Sequence, residues 1–154
     1  MTTTFLTPHV TLDELIYSAT AKRLGIDNTP SATVLIQLKR LADMIELVRL
    51  QLGSVPILIS SGYRCPLLNQ AVGGAAHSAH QWGCAVDFTA PQFGKPIDVC
   101  RQLDATDLPF DQLIVESSKG ISWVHLGLAR GEAIPRHQRL TIDRAGTRTG
   151  LWAS

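Results

Sequence analysis

In the run Ser78-Ala79-His80-Gln81-Trp82-Gly83-Cys84-Ala85-Val86-Asp87 a histidine and a carboxylate stand seven residues apart, with mostly small residues between them. A second imidazole, His125, sits in Trp123-Val124-His125-Leu126-Gly127. Two imidazoles and one carboxylate supply three protein ligands to a tetrahedral Zn²⁺ and leave its fourth position open, the arrangement of a catalytic rather than a structural zinc site. The chemistry this predicts is metal-assisted hydrolysis. Asp87 also interrupts the apolar segment Ala85-Val86-Asp87-Phe88, where a carboxylate is costly to bury without a partner. A zinc ion would be that partner; a turn cap or an arginine would serve as well.

Glu116 closes the apolar run Leu113-Ile114-Val115, just before the turn that leads back to His125. Antiparallel pairing of those segments would bring it near the metal, and a general base must lie within about 3 Å of the water it deprotonates. The plainer alternative is a surface Glu at a strand end. Arg64, in Ser61-Gly62-Tyr63-Arg64, could bind a substrate carboxylate or polarise a carbonyl, or simply form a salt bridge. His77 lies in the Gly-Ala loop before His80 and could line the cleft, whereas His9 and His137 fall in terminal polar segments with no such context.

These residues need a scaffold. Thr11-Leu12-Asp13-Glu14 reads as a capping box opening a helix over 12–23. Thr29 then caps a second helix with Pro30 in its first position. Val34, Leu35, Leu38, Leu41, Ile45, Val48 and Leu52 recur at helical spacing, predicting a core-facing helix over 30–52. Residues 57–59 read as a buried strand, 66–72 as a short helix, 73–76 as a flexible loop, 84–89 as a strand after a turn at Gly83, and 96–103 as a helix. The last third reads as a β-meander of strands over 112–116, 122–128 and 140–143. Alternation puts Val124, Leu126 and Leu128 on one face and Trp123, His125 and Gly127 on the other. The apolar face belongs to the helices, so His125 looks into an open groove.

The chain has 154 residues, which suits one domain able to bury roughly 70% of its unfolded surface. Its formal net charge is +1, and no run of Lys or Arg proposes a nucleic-acid track or a membrane-surface patch. Arg136, Arg139, Arg144 and Arg148 make the C-terminal segment mildly basic. No segment approaches the ~20 apolar residues of a membrane span. The N-terminal residues lack the basic and apolar regions of a secretory leader, so the expectation is a monomer held in the cytoplasm until something releases it. Cys65, Cys84 and Cys100 are odd in number and show no C-x-x-C pairing, which predicts free thiols in a reducing compartment. Cys84, between Gly83 and Ala85, reads as a small buried filler rather than a ligand.

Ser78-x-His80-x-x-Gly83-x-Ala85-x-Asp87 followed by Trp123-Val124-His125 resembles the zinc D-Ala-D-Ala carboxypeptidase family. That family includes vancomycin-resistance D,D-dipeptidases and phage endolysins that cut L-Ala-D-Glu bonds, and it shares its fold with the Hedgehog signalling domain. Phe110-Asp111-Gln112-Leu113-Ile114-Val115-Glu116 and Ser61-Gly62-Tyr63-Arg64 also look like family blocks, and Thr11-Leu12-Asp13-Glu14-Leu15 is similar to the phage-associated branch. The resemblance implies His80, Asp87 and His125 as zinc ligands, Arg64 and Ser78 on the substrate side, and Glu116 as the base. Many relatives place an acidic residue three positions before the last ligand, where this chain has Ser122; Trp123 stands where several have a second histidine.

The combined expectation is an α+β fold, an antiparallel sheet with the N-terminal helices packed on one face and the zinc cleft on the other. Its function would be Zn²⁺-dependent hydrolysis of peptidoglycan stem peptides, with Glu116 and Arg64 catalytic and with Ser78, Trp123 and His77 touching substrate. The resemblance and the missing leader pattern together suggest a phage or prophage lysin released by a holin. A zinc-stabilised binding module without turnover is the alternative, and a thiol-dependent protein using Cys65 or Cys84 lacks a base in its sequence context.

Overall fold

The computed structural model describes residues 3–153. Met1 and Thr2, which begin the segment lacking a leader pattern, lie outside the described residues, as does Ser154. A short hairpin of β1 (Phe5–Thr7) and β2 (Val10–Thr11) leads into α1 (Leu12–Ile16). The capping box forms: the Glu14 N–H donates to Thr11 Oγ1 at 3.2 Å and the Thr11 N–H donates to Glu14 Oε2 at 2.8 Å. The helix expected over 12–23 is broken, however. Tyr17 turns extended and Ser18 starts α2 (Ala19–Leu24) by accepting the Ala21 N–H, because a serine hydroxyl competes with the helix for backbone donors.

Helix α3 (Ala32–Gln51) supplies the back of the core through Leu38, Leu41, Ala42, Ile45 and Val48. Ser31, not Thr29, caps it, accepting the Val34 N–H, while the Thr29 N–H is taken by Asp27 Oδ1 in a local turn. Strand β3 (Leu58–Ser61) follows, then α4 (Pro66–Ala71), β4 (Ala85–Thr89), α5 (Pro96–Asp104), β5 (Gln112–Ser118), β6 (Ile121–Gly127), β7 (Gln138–Asp143) and β8 (Gly146–Thr149). The strand expected to be buried over 57–59 is an edge strand instead: it pairs only with β4, and Leu58 is 52% exposed.

The fold is α+β, with a six-stranded sheet in the order β3-β4-β6-β5-β7-β8. All its pairs are antiparallel except β5 with β7. The last third is therefore not a meander. Both edges of β6 are taken, by β4 and β5, so the chain after Gly127 crosses the start of β5 to its free edge, and β7 begins at that same end of the sheet, level with Gln112. Arg136 grips Asp111 at the start of β5 with a 2.6 Å ion pair, and the Gln138 N–H donates to the Asp111 carbonyl at 2.9 Å. From there β7 can only run beside β5 in the same direction, and β8 turns back as a hairpin whose residues carry no recognisable strand signal.

On one face of the sheet, Val86, Phe88, Leu113, Val115, Val124 and Leu126 are buried against α3 and α5. Full burial of each such side chain contributes about 1.5–3 kcal/mol. Cys84 and Cys100 belong to this core, and all three cysteines are free thiols. Among the described residues no helix is long and apolar enough to cross a membrane. The opposite face of the central strands is where the polar residues stand.

Candidate active site

Strand register builds most of the site. Asp87 on β4 and His125 on β6 are direct cross-strand partners, so their side chains rise side by side from the outer face. His125 Nδ1 lies 2.8 Å from Asp87 Oδ1. On β5, Ile114 faces His125 and Glu116 faces Trp123, which places Glu116 diagonally from His125, with its Oε1 3.9 Å from His125 Nδ1.

His80 comes from outside the sheet, on the 3₁₀ turn Ala79–Trp82. Ser78 opens that turn by accepting the His80 N–H, and Gly83 closes it in the left-handed region at φ 69°, a conformation that glycine adopts without cost. The turn delivers His80 Nε2 to 3.3 Å from Asp87 Oδ1. Its other ring nitrogen, Nδ1, lies 2.6 Å from the Gly62 carbonyl. That carbonyl can only accept, so Nδ1 carries the proton and the Nε2 of a neutral ring turns a lone pair toward the Asp87 carboxylate. Gly62 itself is pinned by α1: the Tyr63 N–H donates to the Leu15 carbonyl, and a Cβ at Gly62 would run into that same carbonyl.

Lone pair and carboxylate facing each other need a cation or a proton between them, and both groups are buried. Burial pushes the His80 pKa down against the pull of Asp87, which disfavours the proton and leaves a place for a cation. His80 Nε2, Asp87 Oδ1 and His125 Nδ1 all lie within 4.8 Å of one another and could hold a metal ion. The donor set fits zinc in type and number, and the Gly62 carbonyl is the kind of outer partner that orients a ligating imidazole.

The electrostatics are divided. Burial alone would raise the Asp87 pKa, but His80 and His125, facing it from either side, outweigh burial and hold the carboxyl below the ordinary range. Glu116 goes the other way. Burial, reinforced by the Asp87 charge, raises its pKa despite His125, Arg64 and the Trp123 N–H. Arg64 is lowered by its own burial, with Asp87 and Glu116 opposing. Its Nη2 donates to Ser78 Oγ at 3.4 Å, and its Nε is buried without a partner.

A cleft of about 680 Å³ joins these groups. Arg64, His77, Ser78, His80, Asp87, Glu116, Trp123 and His125, all singled out in the sequence, line it; His77 is exposed at the rim. Sequence reasoning missed the Gly62 carbonyl and the wall built by Gln112, Ile114, Arg136, Leu140 and Ile142. Alternation along β5 could have found Gln112 and Ile114. Leu140 and Ile142 could not be found, because they reach the cleft only through the parallel β5–β7 pairing. His9 hydrogen-bonds Glu46, and His137 sits edge-on to Phe110, both away from the cleft. Ser122 alternates onto the core side of β6, its hydroxyl donating to the Glu116 carbonyl.

No curated protein matches the chain. The family model described as Peptidase M15 matches residues 8–127, which include every residue of the His-Asp-His cluster and Glu116. The chain belongs to the peptidase M15 family, whose members are zinc-dependent metallopeptidases.

Proposed function

We propose that this protein hydrolyses peptide bonds in peptidoglycan stem peptides, with His80, Asp87 and His125 holding Zn²⁺. One observation carries the reading: three ligand-type atoms converge on one point while a fourth group of raised basicity, Glu116, stands 3.9 Å from His125 on the open side. Zinc bound there would supply Lewis acidity toward the carbonyl and lower the pKa of water.

The protein's own groups do the rest. To hold the metal, Asp87 must be ionised and both imidazoles must offer a lone pair. Glu116 takes a proton from the attacking water and passes it to the leaving nitrogen, so that OH joins the carbonyl carbon and H joins the amine as the C–N bond breaks. A carboxyl raised toward neutrality suits both transfers. Arg64, its Nε without a protein partner, would face the oxygen on which negative charge develops. Ser78 holds the guanidinium in place, and Trp123 and His77 flank the substrate. Release of the protein onto the cell wall as a phage or prophage lysin is the biology that fits such a substrate.

Glu116→Gln tests this reading, since it keeps the shape and leaves the three ligands untouched. Zinc content and folding should match wild type while hydrolysis of purified peptidoglycan falls by at least ~10²-fold, the loss expected for a general base. Wild-type clearing by this variant would overturn the mechanism, and zinc binding without turnover in the unmutated protein would favour a binding module.

A further inference from the structure

The cleft continues past Glu116. The tips of the β5–β6 and β7–β8 hairpins enclose a second cavity of about 790 Å³, and the two spaces share Glu116, Trp123 and Ile142 as lining residues. A volume within the ~300–1,000 Å³ of ordinary ligand pockets is more than one terminal amino acid needs. Lys119 and Arg144 stand exposed at the rim, and neither forms an ion pair among the described residues. The acid beside them is already satisfied: Asp143 accepts from Arg148 at 2.5 Å and from the Ala145 N–H at 2.8 Å. Where the two spaces meet, Trp123 Nε1 is buried without a fully formed hydrogen bond, its N–H directed to the Glu116 carboxyl whose pKa it pulls down, so a substrate acceptor at this point would complete its bonding. The β7–β8 hairpin, which brings Arg144, lies beyond residues 8–127, so the family match covers only the β5–β6 wall of this cavity.

We infer that this cavity binds the leaving-group side of the substrate as an extended peptide carrying a carboxylate beyond the scissile bond. Lys119 and Arg144 receive the carboxylate, and the Trp123 indole N–H donates to a substrate carbonyl. The inference rests on the hydrolase reading above. If Glu116 hands a proton to the leaving nitrogen, it must lie beside that nitrogen, and the chain that continues from the nitrogen enters the space on the far side of Glu116. A site of this form favours a bond inside a peptide over the last bond of a chain.

The test uses the full chain loaded with zinc and three synthetic probes: a full-length stem peptide with free carboxylates, the same peptide with its carboxylates amidated, and D-Ala-D-Ala. Mass spectrometry should find internal cleavage of the free-acid peptide and little release of single alanine. Lys119→Gln/Arg144→Gln should raise KM for that peptide by about 3- to 10-fold, the weight of two exposed charge contacts, with kcat within about twofold. Amidation should raise the wild-type KM to a similar degree and leave the variant nearly indifferent. Lys119→Glu/Arg144→Glu should weaken binding further, and both double variants change exposed turn positions, so circular dichroism should match wild type. Release of terminal alanine alone, or an unchanged KM in both double variants on a peptide that wild type cleaves internally, overturns the assignment of the cavity. Absence of hydrolysis of peptidoglycan and of every probe by zinc-loaded wild type overturns the hydrolase reading itself and the subsite with it.

Discussion

The two faces of β4, β6 and β5 are made from the same residues of chain, taken alternately. Val86 and Phe88, Val124 and Leu126, Leu113 and Val115 go to the helices; Asp87, His125 and Glu116 go to the cleft. On the inner face, shape and buried area decide stability, and neighbours adjust only partly when an atom is lost. On the outer face, partly desolvated polar groups are held by one hydrogen bond, His125 to Asp87, and by the cation that His80 and Asp87 together would take. The inner face keeps the outer one rigid, and a site so supported needs little reorganisation when substrate arrives. Changes on the inner face should therefore cost stability and spare the chemistry, while changes on the outer face should do the reverse.

The largest effect is expected at the ligand cluster. Asp87→Ala, like His80→Ala and His125→Ala, should lose zinc and hydrolysis together while the chain remains folded, because a site missing one of three protein ligands is ill-formed. Elemental analysis showing stoichiometric zinc in all three variants would break the contrast at its outer face. On the inner face one residue away, Phe88→Ala should cost about 3–5 kcal/mol in urea denaturation, with zinc content and activity per folded molecule retained. A collapse of activity in the folded fraction would show that the faces are not separable.

A smaller loss belongs to the cysteines. Burial holds the thiols of Cys84 and Cys100 above their ordinary range, far from the thiolate that chemistry would need. Replacing Cys65, Cys84 and Cys100 together by Ala should cost ~1–3 kcal/mol for each buried position, with zinc and most activity kept. Inactivation by a thiol reagent that substrate prevents would count against this. The smallest effect is expected for Ser122→Ala. Its hydroxyl lies on the core side of β6, and losing its hydrogen bond to the Glu116 carbonyl should cost about 0.5–1.5 kcal/mol, leaving hydrolysis within a few-fold of wild type. A loss as deep as that of Glu116→Gln would move the base from 116 to 122.

Much of the fold and of the site is legible in the amino-acid order, and the limits have physical causes. The capping box at Thr11, the long apolar stripe of α3, the short helices α4 and α5 and the alternation in β6 are local patterns, set by residues within a turn or two of one another. Local competition defeats the pattern where two readings are close, as when Ser18 splits the first helix and Ser31 displaces Thr29 as a cap.

Which residues of each strand share a face follows from the sequence alone, because side-chain direction alternates with period two whatever the neighbours are. So do the residue types needed for a metal: His80 and Asp87 within one short segment and His125 in another. The assembled fold was needed to make Asp87 and His125 cross-strand partners, to set the proton on His80 through the Gly62 carbonyl, and to run β7 parallel to β5 so that Leu140 and Ile142 wall the cleft. These depend on which sheet edges remain free once the other strands have paired, and that is a property of the whole chain.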